Sequence, residues 1–236
     1  MLNLFQHQKI KKLCYSVIRF LTLKPVQGDG MKLIECHEPL VDLRRFCPGV
    51  VIRLNKERRA EKTAYVRRTV ALMLKRAKKL LPRGMTFVIR DAWRPAAVQK
   101  KIMQDFVLMF RRRHPTWSAA RALREADKFV ASSRGPKVSG HMTGGAVDVR
   151  LLKNGKLLPM RSWKLSYQEN AAPCQPKLPK HLQANREIMF STLRAVGFSQ
   201  CHNEFWHWSY GDVQWAQRTG KKVAMFGVIA VNKKSA

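Results

Sequence analysis

The chain has 236 residues, 45% hydrophobic and 26% charged, enough apolar material for one packed domain. Lys and Arg number 46 against 15 Asp and Glu, a formal net charge of +31; such a field attracts polyanions, and a plain solvated basic surface would carry the same charge. Apolar runs stay far below the ~20 residues that cross a bilayer, so no transmembrane helix is expected, and five cysteines without C-x-x-C spacing argue against a disulfide framework or a cysteine zinc site.

Residues 1–30 read as an N-terminal extension or leader. Lys9, Lys11 and Lys12 precede an apolar stretch from Leu13 to Ile18, as in an export signal, but Arg19 interrupts it and no A-x-A site follows. The expectation is a cytoplasmic protein, with export to the periplasm as the alternative and residues 31–236 as the working domain. Met31 to Leu54 reads as strands and loops. Val66, Val70, Met73, Ala77 and Leu80 recur at three and four, predicting a helix over 56–81 that Pro82-Arg83-Gly84 stops. Thr86 to Ile89 reads as a strand delivering Asp91-Ala92-Trp93-Arg94-Pro95. Proline after Arg94 disfavours helix there and leaves that side chain in an extended turn.

A second helix is expected over 96–113, with Val98, Ile102, Phe106 and Met109 on one face, and a third from the N-cap Ser118 to about Val130. Ser132 to Lys137 is a loop. Ala146-Val147-Asp148-Val149 starts a strand, and Asn154-Gly155 marks a hairpin. Residues 161–180 hold three of the eleven prolines and read as irregular chain bordering a cleft. A last helix is expected over 181–196 with Gly197 as its stop, then strands over 198–210 and a final strand over 223–231. The fold class is therefore α+β, a central antiparallel sheet with helices packed on it.

His141 stands seven residues before Asp148, with Gly144-Gly145 between them, and two adjacent glycines permit a backbone path that side chains would block. A loop imidazole and a strand carboxylate can thus meet at one point, and both suit Zn²⁺. Glu204 and His207 lie three apart and face one spot if the backbone turns there. His141, Asp148 and His207 would give three protein ligands and an open fourth position, the pattern of a catalytic zinc, leaving Glu204 as general base. Either half alone is also consistent with an ordinary hairpin and strand core.

Together the pieces S-x-H-x-x-G-x-A-x-D, over 139–148, and E-x-W-H, over 204–207, resemble the zinc D-alanyl-D-alanine dipeptidases of the vancomycin-resistance type. That family belongs with the D,D-carboxypeptidases of peptidoglycan and shares a Hedgehog-like zinc fold. The likeness runs from about Met85 to Trp215. It implies one Zn²⁺ per chain and places Arg94 over the metal, where a planar, permanently charged fork stabilises the developing oxyanion. It also sets Ser139 beside the amino end of the substrate, although a hydroxyl there could equally cap the turn before His141. One departure stands out. The family follows the hairpin with M-G-T/S-x-F-D, whose aspartate holds the dipeptide ammonium; here Met160 is followed by Arg161-Ser162-Trp163-Lys164-Leu165. Glu169 is the residue that would have to stand in.

The expected function is zinc-dependent hydrolysis of the D-Ala-D-Ala dipeptide. The alternatives are a D,D- or L,D-carboxypeptidase acting on longer D-Ala-containing stem peptides, and a basic polyanion-binding module with a structural zinc.

Overall fold

The structure is a computed structural model and describes residues 31–55, 64–131 and 138–230. The leader over 1–30, the first part of the helix expected from 56, the loop over 132–137 and the end of the expected final strand lie outside the described residues. Among the described residues no helix is long and apolar enough to cross a membrane.

Strand β1 (Lys32–Leu33) is followed by β2 (Leu40–Asp42), which feeds the short helix α1 (Leu43–Phe46) through an Asp42 N-cap, and by β3 (Val51–Ile52). Next come β4 (Tyr65–Arg67) and helix α2 (Arg68–Leu80). The expected helix therefore starts late. Tyr65 to Arg67 pair antiparallel with Leu40 to Asp42, so Val66 serves a strand although it also falls in the helical spacing. From Val70 on the spacing holds, with Val70, Met73, Leu74 and Ala77 buried.

Strand β5 (Met85–Asp91) leads to α3 (Ala96–Arg113), with the bounds expected, and then to α4 (Ala119–Ala126), whose N-cap Ser118 accepts from Arg121 N at 3.2 Å. The apolar face of α3 is only half covered. Its partner is the small α4, met through Phe106, Phe110, Trp117 and Phe129, and Gln99 is its one buried residue.

A 3-10 turn, Gly140–Thr143, precedes β6 (Ala146–Lys153). Asn154 (φ 50°) and Gly155 (φ 78°) then form the tight turn to β7 (Lys156–Leu157). The stretch expected to be irregular contains α5 (Tyr167–Ala171), started by a reciprocal Ser166–Glu169 capping box. Helix α6 (Lys180–Ala195) ends at Gly197 (φ 101°). Then come β8 (Ser199–Gln200), β9 (His207–Ser209), α7 (Val213–Thr219) and β10 (Val223–Ala224). The final strand is two residues long, not nine, among the described residues. Met225 N and Phe226 N both donate to Gly211 O, and Ile229 N donates to Met142 O, so these amides bind loops and not a neighbouring strand.

The main sheet runs β3-β5-β6-β9-β8, with β7 added to β6. Its pairs are antiparallel except β3–β5, which is parallel. Phe87, Ile89, Val149, Leu151 and Trp208 share one apolar core with residues of α2 and α6. The long central strands β5 and β6 make the frame on which the site stands.

Candidate active site

His141, Asp148 and His207 converge. One donor atom from each lies within 4.8 Å of the others, and all three side chains are buried. Register explains half of this: Asp148 on β6 sits directly opposite His207 on β9. The other half comes from the glycines. Gly144 has φ 70°, and a Cβ on Gly145 would stand 2.6 Å from Tyr210 O, so the 3-10 turn folds back against the sheet only with glycine at both positions.

Asp148 Oδ1 lies 3.2 Å from His141 Nε2 and 3.1 Å from His207 Nδ1. The other nitrogen of His141, Nδ1, lies 2.9 Å from the carbonyl of Ala92. A carbonyl only accepts, so Nδ1 carries a proton; with a metal bound, Nε2 would give up its own proton and offer a lone pair to the cation. Burial raises the Asp148 carboxyl, but the charge and hydrogen bond of His141, and then those of His207, outweigh it and hold the group far below the usual carboxylate range. Two imidazole nitrogens and an ionised carboxylate, preoriented by a backbone carbonyl, form a donor set that fits zinc.

Glu204 meets the same cluster. His207 N donates to Glu204 O at 3.1 Å, closing a turn between the two residues. Burial pushes the Glu204 carboxyl up from its ordinary 4.5; His207, Arg94 and Arg161 pull it down and Asp148 pushes it up, which sets all of them within electrostatic reach.

Arg94 N donates to His141 O at 2.9 Å, pinning the corner after β5 to the 3-10 turn. Its guanidinium is paired with Asp91 and donates Nη1 to Gln99 Oε1 at 2.6 Å. Gln99 is fully buried and anchored through Nε2 to Ala131 O at 2.6 Å. The sequence reading missed Gln99; its only signal was an amide in the first turn of a helix five residues after Arg94. Ser139 is buried beside His141. Its hydroxyl makes no capping bond to the turn, so that alternative is not realised. Glu169 is not available to stand in for the absent aspartate, since it caps α5 and pairs with Lys177 at 3.2 Å.

Comparison with known proteins agrees with the motif. The family model described as D-ala-D-ala dipeptidase matches residues 50–224. No curated protein matches the chain. Similar solved structures include VanYB in complex with D-alanine-D-alanine, at 16% identity over 84% of this chain and 87% of that one, TM-score 0.46. A vancomycin-resistance D,D-pentapeptidase, VanY, in complex with Zn(II), is also 16% identical, over 68% of this chain and 83% of that one, TM-score 0.43. The LD-carboxypeptidase LdcB is 20% identical over 79% of this chain and 76% of that one, TM-score 0.44.

Proposed function

The chain belongs to the D-ala-D-ala dipeptidase family, a family of zinc peptidases, and on that premise we propose that it hydrolyses the bond between the last two residues of D-Ala-D-Ala peptides from peptidoglycan. His141, Asp148 and His207 would hold the zinc. The observation that carries the reading is the meeting of these three buried donors, and it is supported by Glu204 lying within electrostatic reach of His207 and Asp148.

When bound, zinc supplies a Lewis acid that polarises the scissile carbonyl and brings the pKa of water toward about 7. Glu204 takes the proton of the attacking water and returns it to the leaving amine, so the carboxylate is regenerated each turnover. Its raised affinity for a proton suits the interval between the two transfers. Arg94, held by Asp91 and Gln99, offers fixed positive charge to the carbonyl oxygen as it becomes negative. Ser139 orients the amino side of the substrate.

Two substrates fit this chemistry, the free dipeptide and a longer stem peptide. A bare ammonium held out of water needs a carboxylate partner. Here Asp91 is paired with Arg94, Asp148 is in the donor cluster, and Glu169 is engaged in its cap. That favours the longer peptide and thus carboxypeptidase action. We also place the protein in the cytoplasm, supported by four free cysteines among the described residues, Cys36, Cys47, Cys174 and Cys201.

The test is a hydrolysis panel of free D-Ala-D-Ala, N-acyl peptides ending in D-Ala-D-Ala, and their L,L counterparts. The expected result is fastest release of D-Ala from the acylated D,D peptides, lost with chelator and restored by zinc. Hydrolysis of the L,L peptides at equal rate, or turnover indifferent to chelator, would overturn the proposal.

A further inference from the structure

Beside the donor cluster lies a group of arginines that the proposed chemistry does not use. Arg161 is exposed on the segment after Met160. Its guanidinium carbon stands 4.5 Å from the centre of the Trp206 ring and 5.8 Å from those of Tyr167 and Phe205. Trp206 immediately precedes His207, so the cation over its ring lies near the donor cluster, and its charge reaches Glu204.

Arg150 lies behind it. It follows Asp148 by two residues on β6 and so shares its face of the sheet. Its guanidinium is 5.6 Å from the Phe205 ring, its Nε is buried without a hydrogen-bond partner, and its one carbonyl contact, Leu158 O, is 3.5 Å away. A third arginine, Arg186, is 3.9 Å from the same ring but is satisfied, donating to the carbonyls of Met160, Ala172 and Asn170 at 2.7–2.8 Å. Arg186 is structural. Among the described residues neither Arg150 nor Arg161 makes an ion pair. Guanidiniums clustered without an ion-paired carboxylate among the described residues are an incomplete arrangement, and a planar fork above an aromatic ring is well placed to take a carboxylate in two parallel hydrogen bonds.

We infer that Arg161, backed by Arg150, is a specificity-determining cation that pairs with a carboxylate of the peptide substrate. The inference rests on the peptidase reading and deepens it: the preferred substrate is an anionic D-Ala-D-Ala peptide. The carboxylate belongs either to a side chain upstream of the scissile bond or to the peptide's own C-terminus.

The experiment compares two N-acyl tripeptides ending in D-Ala-D-Ala, one with Glu and one with Gln before them, and the C-terminal amide of the Gln peptide. Each is tested on zinc-loaded wild type, Arg161→Gln and Arg161→Lys, by hydrolysis and by calorimetric binding. If the anion is upstream, wild type prefers Glu over Gln about tenfold in kcat/KM, a preference that Arg161→Gln removes through KM and Arg161→Lys partly keeps. If it is the C-terminus, Arg161→Gln instead narrows the difference in binding between the Gln peptide and its amide. Equal loss on all three peptides, or no discrimination by wild type, overturns the inference and leaves the peptidase reading intact. Absence of any hydrolysis by wild type counts against the peptidase reading. Binding then judges Arg161 separately, since charge discrimination lost in Arg161→Gln keeps the anion site and its absence removes it.

Discussion

Asp148 meets three demands at once. It pairs in register with His207, lies at hydrogen-bond distance from both imidazoles, and stays ionised although buried. Glu204 differs in being pushed toward the protonated form, and this division of labour gives a sharp prediction. Glu204→Gln should keep stoichiometric zinc and lose roughly 10²–10⁴-fold in kcat, the range for a general base. His207→Ala should lose metal and turnover together. Metal analysis alongside initial rates separates the two, and near-normal turnover in Glu204→Gln would remove its proposed role. Gly144→Ala should lower stability by more than about 1 kcal/mol, read from urea midpoints, because φ is 70° and the new Cβ would stand 2.6 Å from Leu40 Cδ2. The donor residues were legible in the sequence because their chemistry and spacing are unusual and the glycines between them have few other uses. Gln99 and Asp91 were not, because what makes them matter is a tertiary contact with Arg94, and a buried amide looks like any helical glutamine until its partners are known.

At the scale of elements, Arg67 at the end of β4 ties the metal-binding turn to the rest of the chain. Its backbone N donates to Gly144 O, its Nε to Thr143 O at 2.8 Å and its Nη1 to Glu38 O at 2.6 Å, while the guanidinium pairs with Glu35 at 3.0 Å. Arg67→Met should cost on the order of 3 kcal/mol in chemical unfolding, since it strands several buried acceptors, and it should weaken zinc binding through the loosened turn. Burial raises the Glu35 carboxyl, but amides of Gly227 and His37 and the charge of Arg67 more than offset it, so its folded pKa lies below 4.5. A group depressed in this way stabilises the fold fully above its unfolded pKa, and that contribution is lost as pH falls below about 4.5. Wild type should therefore lose stability in acid more steeply than Glu35→Gln, and equal slopes would contradict this. The regular elements were readable where the apolar period acts alone, as in α3 and α6. The start of α2 was not, since Val66 satisfies both a helical spacing and a strand, and only its pairing with Val41 decides. The final strand was misread for the same kind of reason: its amides bind Gly211 and Met142, contacts that a run of apolar residues does not announce.

Across the whole molecule, the α+β class followed from grouped helices and paired strands, while the parallel edge at β3 depended on a long-range pairing with β5 that no local pattern marks. The +31 charge acts at this scale as well. If it steers anionic wall peptides, kcat/KM for the Glu tripeptide should fall as ionic strength rises from about 0.01 to 0.15 M, where the screening length shrinks from about 30 to about 8 Å. A charge-neutral peptide should barely respond, and an equal response from both would assign the charge to another task. All of this depends on one cation held by three side chains from two distant parts of the chain. The direct measurement is zinc per chain, by elemental analysis after loading and dialysis, in wild type and in His141→Ala, Asp148→Ala and His207→Ala, each checked for native circular dichroism. The account predicts one zinc in wild type and close to none in each folded variant; a wild type without bound zinc, or variants that keep it, would contradict the account.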